Sequence, residues 1–145
     1  MNILLGIGNE IKGDDGVGNA IAREFSAPGW KSIPCETVPE NFTAVVKREK
    51  PELLVMVDAT DMGLEPGEMR LISKDRLNTE SHGTHSLPLR HFVTHLGNHA
   101  KRIIFMGIQP KNLDIAEGLS PEVTKAKERV LGMLKKADFS GVKHL

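Results

Sequence analysis

The chain has 145 residues, of which 39% are hydrophobic, and its 19 basic side chains balance 19 acidic ones. This length and apolar content suit one domain with its own core, predicted over residues 1–145. The zero net charge argues against a nucleic-acid partner, and no apolar run approaches the ~18–20 residues of a membrane span. A single cysteine, Cys35, excludes an internal disulfide and is compatible with a reducing compartment. We therefore expect a soluble, cytoplasmic enzyme or binding module with neither a nucleic-acid nor a membrane partner.

Short apolar runs alternate with amphipathic segments in the first half of the chain. Residues 3–7 predict a buried strand. A helix follows, because apolar residues recur at helical spacing: Val17, Ala20, Ile21 and Phe25. Residues 28–29 are expected to end that helix. Residues 32–38 predict a second strand, placed at a sheet edge because Pro34 interrupts it, and residues 42–48 allow a short helix.

The second half of the chain continues this alternation. Three apolar or β-branched segments predict strands: residues 53–57, 69–72 and 102–108. One helix is predicted to open at Pro88 and close at Gly97, and another to begin at Pro121 with Ser120 as its N-cap. Alternating strands and helices predict an α/β fold in three layers. Its centre is a twisted, mostly parallel sheet of about five strands, with helices on both faces.

The glycine-rich stretch "LLGIGNEIKGDDGVG", residues 4–18, raises the question of a phosphate site. Gly6 and Gly8 match the first two glycines of the dinucleotide fingerprint, but Ile11 occupies the third position. The glycine-lysine-Ser/Thr sequence of a P-loop is also missing from the chain. The pattern therefore disfavours a nucleotide and favours a tight turn in which the backbone approaches a ligand or a neighbouring chain closely.

Two adjacent carboxylates, Asp14 and Asp15, are predicted at or before the N-terminus of the first helix. There they could accept hydrogen bonds from unpaired backbone N–H groups. One carboxylate is enough for such a cap. The second is therefore available for another role.

Further polar residues lie where a parallel sheet places its ligands, beyond the carboxyl ends of the strands. Asp58 directly follows the predicted central strand, and His82 and His85 precede a later helix; Asp61 is interpreted as a turn residue. Asp15, Asp58 and His85 together would form a site of two carboxylates and one imidazole. That ligand set suits nickel, zinc or manganese. Sequence spacing alone does not select these three residues, because they lie on distant loops.

Other candidates are weaker. His91, His95 and His99 are spaced along one helix face opposite the leucines, which is typical of a solvated polar face. Cys35 has apolar neighbours and is predicted to be a buried or edge-strand thiol. The Gly-x-Ser-x-Gly elbow of a serine hydrolase is not found in the sequence.

Four segments carry a family resemblance when taken in order: "LLGIGNEIKGDDGVG", "LLVMVDATDMGLEPGEMRLI", "THSLPL" and "IIFMGIQP". Together they resemble the hydrogenase maturation endopeptidases. The resemblance is closest to the type that processes the large subunit of formate-hydrogenlyase-type nickel–iron hydrogenases. It covers nearly the whole chain, and the ordered set of four motifs is highly specific.

The resemblance implies an activity and a partner. Such enzymes remove a short C-terminal peptide from the hydrogenase large-subunit precursor after nickel insertion, cutting after a basic residue beyond the last cysteine pair. By motif position, the catalytic and metal-engaging residues are Asp15, Asp58 and His85, the first of which is glutamate in some members. Nickel is then supplied by the precursor, and no permanently bound metal is expected. The loop "VPENFT", residues 38–43, resembles the substrate-facing loop of the family without the paired glycines of some members.

Several questions stay open at the level of sequence. Asn9 and Asp14 are predicted to shape the loop, whereas either Asp15 or Asp58 could act as the base. Nickel could activate the water or only dock the substrate. The alternatives are a nickel-binding accessory protein or sensor without peptidase activity, a nucleotide-binding module and an ordinary zinc peptidase.

Overall fold

The computed structural model describes residues 1–77 and 89–145. Its strands form a single five-stranded sheet: β1 (Asn2–Gly6), β2 (Trp30–Pro34), β3 (Leu53–Ala59), β4 (Met69–Leu71) and β5 (Arg102–Ile108). The strand order is β2-β1-β3-β5-β4, in which all neighbours are parallel except β4, which runs antiparallel to β5. The predicted α/β fold with a mostly parallel sheet is confirmed.

In the described part of the chain four α-helices cover the sheet: α1 (Val17–Glu24), α2 (Thr43–Glu49), α3 (Leu89–Leu96) and α4 (Pro121–Lys136). Alternation along β3 separates two cores, because successive side chains of a strand point to opposite faces. Val55 and Val57 pack with α1 and α4, whereas Leu54 and Met56 pack with α2 and α3. The predicted three layers are therefore present. Within residues 1–77 and 89–145, none of the helices has the length and apolar character needed to cross a bilayer.

Helix α4 shows how closely local signals can define an element. Ser120 is its N-cap, and the Ser120 hydroxyl accepts a hydrogen bond from the Val123 N–H at 3.4 Å. Pro121 occupies the first turn, where its missing N–H costs nothing. The helix buries one stripe of side chains at helical spacing: Val123, Ala126, Val130 and Leu134. The predicted start of the helix and its predicted N-cap are confirmed.

The predicted ends of β2 and α1 are wrong. The second strand spans Trp30–Pro34 and not residues 32–38, because Glu36 adopts a left-handed backbone conformation (φ 55°) that turns the chain away from the sheet. Its predicted position at the sheet edge is confirmed. Helix α1 ends at Glu24, before residues 28–29, because Phe25 is already extended.

The strand order creates a crevice next to β1. From β1 the chain crosses to the edge strand β2 on one side, and later reaches β3 on the other side. In open α/β sheets, ligands bind beyond the carboxyl ends of the strands at the point where the order reverses. The carboxyl ends of β1 and β3 are therefore the place at which a ligand site is expected.

Candidate active site

Gly8 is the residue that joins the two sides of this crevice. The chain leaves β1 with the Ile7 N–H donating to the Val57 carbonyl at 2.9 Å. Gly8 then takes a positive φ of 146°, and a Cβ there would lie 1.8 Å from the Asp15 carbonyl oxygen and 3.8 Å from Asp58 Oδ1. Only glycine permits this approach. Gly8 thus lies between the backbone of Asp15 and the carboxylate of Asp58, in the crevice that the sheet topology indicates.

The side chain of Asn19 stabilises the turn at Gly8 through hydrogen bonds. This buried residue of α1 donates through Nδ2 to the Gly8 carbonyl at 2.6 Å, and its Oδ1 accepts the Glu36 N–H at 2.9 Å. The Gly8 N–H in turn donates to the Glu36 carbonyl at 2.8 Å. The segments that follow β1 and β2 are therefore held together. Asn19 was not predicted, because at helical spacing it lies on the side of Arg23, away from Val17 and Ile21, where a polar residue is expected.

Asp15 is only 3% exposed and lies in a 3-10 turn, Gly13–Gly16, directly before α1. Its Oδ2 accepts a hydrogen bond from the Asn9 N–H at 2.9 Å, which orients the carboxylate toward the glycine turn. Neither aspartate caps α1, so the capping role predicted for one of the pair is wrong. The N-cap of α1 is Gly16, which has no side chain, and Asp15 lies one residue before it.

Asp14 faces a different part of the molecule, although it is the neighbour of Asp15. Its carboxylate is 1% exposed and accepts the N–H groups of Lys111 at 2.8 Å, Asn112 at 3.1 Å and Ser120 at 2.7 Å. The Ser120 hydroxyl also donates to it, at 2.8 Å. Asp14 thus anchors the loop between β5 and α4 to the glycine-rich turn. The prediction that Asp14 shapes the glycine-rich loop is confirmed. Its carboxylate ties that loop to residues 111–120, which lie 97 to 106 residues further along the chain.

Asp58 lies inside β3, because the strand extends to Ala59. The sequence predicted a strand over residues 53–57, with Asp58 directly after it. It is 1% exposed and lies opposite Gly107 of β5 in the parallel register. By strand alternation it shares the sheet face of Leu54 and Met56, which α2 and α3 cover. Asp58 therefore presents a buried carboxylate to the α2–α3 side of the crevice.

Asp61 and Gln109 form the turn that follows β3. The Asp61 Oδ1 accepts the Gly63 N–H and a Gln109 Nε2–H, both at 3.2 Å, which confirms the turn interpretation of Asp61. Gln109 Oε1 accepts the N–H of Met62 at 2.6 Å and that of Leu64 at 3.2 Å. No role was predicted for Gln109. Its position directly after a buried strand was the only signal.

The histidine of the predicted triad is not placed by the structure. His82 and His85 lie in the segment 78–88, outside the described residues. Elsewhere in the chain, over residues 1–77 and 89–145, no group of three His, Cys, Asp or Glu side chains is arranged to hold a metal ion. Of the three predicted site residues, the structure thus brings Asp15 and Asp58 to one crevice, whereas the position of His85 stays a prediction.

The other histidines form a polar surface, as the sequence predicted. His91 and His95 are exposed on α3, and His99 is half-buried just beyond it. His95 Nε2 lies 3.4 Å from Lys47 Nζ, and His99 Nδ1 lies 2.7 Å from the Leu96 carbonyl. These contacts are those of a solvated helix face and its C-terminal end.

Cys35 is buried directly after β2, as predicted. Burial raises the pKa of its thiol to about 12, and the nearby charges of Glu36 and Glu40 add to this. A thiol of this kind stays protonated at neutral pH and is not a nucleophile. The following loop forms a 3-10 turn, Pro39–Phe42, in which the Thr43 hydroxyl donates to the Glu40 carbonyl at 2.8 Å. Its predicted contact with substrate stays a prediction.

The chemistry of the crevice favours a cation over a phosphate. Two buried carboxylates approach it, and both would repel an anionic ligand. In a phosphate-binding turn the backbone N–H groups point at the ligand, whereas here the Asn9 N–H is already bonded to Asp15. Carboxylate oxygens can bind a borderline divalent ion or accept a proton from water. The crevice thus suits metal-assisted or carboxylate-assisted hydrolysis.

Sequence and structure comparisons agree on one family. A family model described as HycI, hydrogenase maturation protease, matches residues 17–137. The chain is 33% identical over 144 residues to the hydrogenase 3 maturation protease of Escherichia coli K12, covering 97% of this chain and 92% of the relative. It is 32% identical to a putative hydrogenase maturation protease of Methanocaldococcus jannaschii, with 91% and 85% coverage.

Solved structures give the same result. The crystal structure of the hydrogenase 3 maturation protease superposes with a TM-score of 0.89 at 33% identity, covering 100% of this chain and 96% of that one. A nickel–iron hydrogenase maturation protease HycI from Thermococcus kodakarensis gives a TM-score of 0.82 at 28% identity, with 93% and 90% coverage.

Proposed function

Because this chain belongs to the hydrogenase maturation protease family, we propose that it removes the C-terminal extension of a nickel–iron hydrogenase large-subunit precursor after nickel has been inserted. Family membership makes the chain a peptidase. The precursor as partner, the nickel requirement and the residues that act on the peptide bond are the parts that we propose. They rest on the crevice next to β1.

One observation supports the site above all others: Gly8 lies against both Asp15 and Asp58 at the reversal point of the sheet. The two carboxylates come from segments far apart in sequence, and each is almost completely buried. Two carboxylates that approach one crevice favour a cation there. A metal-bearing substrate would supply that cation.

His85 completes the proposed ligand set. The helix that follows it, α3, begins at Leu89 and packs on the same face of the sheet as Asp58. Two carboxylates and an imidazole suit nickel and leave coordination positions for ligands from the precursor. Nickel is then part of the substrate, and a precursor without it lacks the group that the three side chains recognise.

The proposed reaction is hydrolysis of one peptide bond. Water adds to the scissile carbonyl, the C–N bond breaks, and the proton taken from water is passed to the departing amine. Either Asp15 or Asp58 can accept that proton as general base. Nickel held beside the bond would polarise the carbonyl or lower the pKa of a bound water, and both routes use the same three side chains.

The rival functions make different predictions. A nickel-binding accessory protein would bind the metal without cutting, and an ordinary zinc peptidase would cut unrelated peptides in a chelator-sensitive way. A nucleotide-binding module is disfavoured by the carboxylates of the crevice and by Ile11 at the third glycine position. Peptidase family membership favours cleavage over metal binding alone.

The test is the intact mass of a nickel-loaded precursor after incubation with the wild-type protein, with Asp58→Asn and with Asp61→Asn as matched control. We expect the wild type and the control to remove a C-terminal peptide, and Asp58→Asn to be at least about 100-fold slower, the usual cost of losing a general base. Wild-type-like cleavage by Asp58→Asn would remove Asp58 from the site. Tight nickel binding by a wild-type protein that never cleaves would favour the accessory protein.

A further inference from the structure

Three large apolar side chains are exposed on two loops beside the crevice. Ile11 is 59% exposed, Leu113 44% and Ile115 81%. Single exposed apolar residues are common on protein surfaces, whereas adjacent ones form a patch that can bind an apolar partner. We call these three residues the apolar platform.

Backbone pairing places Ile11 and Ile115 side by side, and Leu113 lies two residues before Ile115 in the same loop. Lys12 and Ala116 form an isolated parallel bridge, in which the Ala116 N–H donates to the Ile11 carbonyl at 3.0 Å and the Gly13 N–H to the Ala116 carbonyl at 2.9 Å. In this parallel register Ile11 is opposite Ile115, at the spacing of about 4.8 Å that separates paired strands. Their exposed side chains therefore form one surface.

The platform is anchored. The Asp14 N–H donates to the Asn112 carbonyl at 2.9 Å, and the Asp14 carboxylate accepts the four hydrogen bonds from Lys111, Asn112 and Ser120. A loop tied down in this way cannot easily fold its apolar side chains inward. Their exposure is thus built into the structure.

The platform is also continuous with the proposed catalytic site. The Ile11 N–H donates to Asn9 Oδ1 at 3.1 Å, and the Asn9 N–H donates to Asp15 Oδ2 at 2.9 Å. One short segment therefore carries both an exposed apolar side chain and the anchor of a proposed catalytic carboxylate. A polypeptide bound at Asp15 would pass close to Ile11.

We propose that the apolar platform docks an apolar segment of the precursor beside its scissile bond; this inference rests on the proposed function. Three side chains form a patch of at most a few hundred Å², whereas a stable dimer interface buries about 800 Å² on each partner. The platform is too small for a dimer by itself, but it suits a transient contact that adds to binding at the catalytic site. The small size of the platform and its connection through Asn9 to Asp15 both favour the substrate as the occupant.

The test is steady-state cleavage of the nickel-loaded precursor by the double variant Ile11→Ser/Ile115→Ser. Leu145→Ser is the matched control, because Leu145 is also exposed but pairs through its N–H with Leu71 of β4, outside the platform. Binding energy that is equal for the bound substrate and for the transition state changes KM and leaves kcat unchanged. We expect KM to rise about tenfold in the double variant and to stay at the wild-type value in the control.

The outcomes separate this inference from the proposed function. An unchanged KM in the double variant, with normal cleavage by the wild type, overturns the platform and leaves the peptidase assignment. If the wild type does not cleave, the affinity of each protein for the nickel-loaded precursor is measured directly. Binding that is about tenfold weaker in the double variant than in the wild type supports the platform without the peptidase activity. Equal binding by the two proteins, or no binding by either, overturns the platform. A wild-type dimer that the double variant loses would assign the surface to a second copy and overturn the inference.

Discussion

Replacing Asp14 with alanine should destabilise the protein without touching the proposed catalytic carboxylates. The side chain accepts four hydrogen bonds from the β5–α4 loop. Hydrogen bonds to a charged group contribute ~1.5–3 kcal/mol each, and a buried donor left without a partner costs a similar amount. Lys111 and Asn112 are exposed, so water can replace their bonds, whereas the two bonds from half-buried Ser120 are lost in full. We estimate a loss of about 3 kcal/mol in the free energy of unfolding.

Urea denaturation followed by circular dichroism measures this loss. For a chain of 145 residues the corresponding fall in Tm is about 10 °C. Asp138→Ala is the matched control, since that exposed carboxylate accepts a single backbone N–H, from Ser140 at 3.0 Å, and its removal should have a much smaller effect. A loss below about 1 kcal/mol for Asp14→Ala would refute the anchoring role and the bracing of the apolar platform.

Four further predictions concern the glycine turn, the Cys35 thiol and the proposed ligands. Gly8→Ala should prevent stable folding because its Cβ would collide with the Asp15 carbonyl, whereas Gly63→Ala, with open space around its Cβ, should still fold; expression and thermal melts compare the two. Cys35 should react with a thiol reagent at pH 8 only as fast as the protein unfolds, since burial raises the pKa to about 12; labelling at the rate of a free thiol would contradict this. Because the pKa of Cys35 is raised in the folded protein, the free energy of unfolding should fall as the pH rises above the ordinary thiol pKa toward 12. A urea midpoint that decreases over this pH range would show the loss. Asp15→Asn and His85→Ala should each abolish processing of nickel-loaded precursor while the protein still folds, and normal processing by either variant would remove that residue from the site.

Elements with strong local signals were predictable from the sequence. Helix α4 has a capping serine, a proline in its first turn and apolar residues at helical spacing, and all of these act within a few residues. Strand β5 was likewise predicted with its observed limits, Arg102–Ile108, because it is a continuous apolar and β-branched run. Local chemistry was sufficient for both.

The end of β2 was not predictable from local chemistry. It depends on the turn at Glu36, whose N–H and carbonyl are held by Asn19 and Gly8 of another segment. Residues 32–38 were predicted as one strand because nothing in that stretch shows that the neighbouring strand β1 stops pairing at Pro34. Contacts between distant segments therefore decided this boundary.

The candidate site shows the same division. Asp58 was predictable because parallel sheets place ligands at the carboxyl ends of their strands. Adjacent Asp14 and Asp15 were chemically equivalent in the sequence, and only the loop from Lys111 to Ser120 makes Asp14 an anchor. The family resemblance selected Asp15 by its motif position, and the three-dimensional arrangement gives the physical reason, since the Asp15 carboxylate accepts the Asn9 N–H beside the crevice.

The most direct test of the central proposal compares two forms of one precursor. The purified protein is incubated with a hydrogenase large-subunit precursor, nickel-loaded or nickel-free, and the precursor mass is followed with time. We predict that a C-terminal peptide is lost only from the nickel-loaded form, because the carboxylates of Asp15 and Asp58 then meet the cation that they recognise. Equal cleavage of both forms would contradict recognition through nickel while keeping the peptidase, and cleavage of neither form would contradict the proposed substrate.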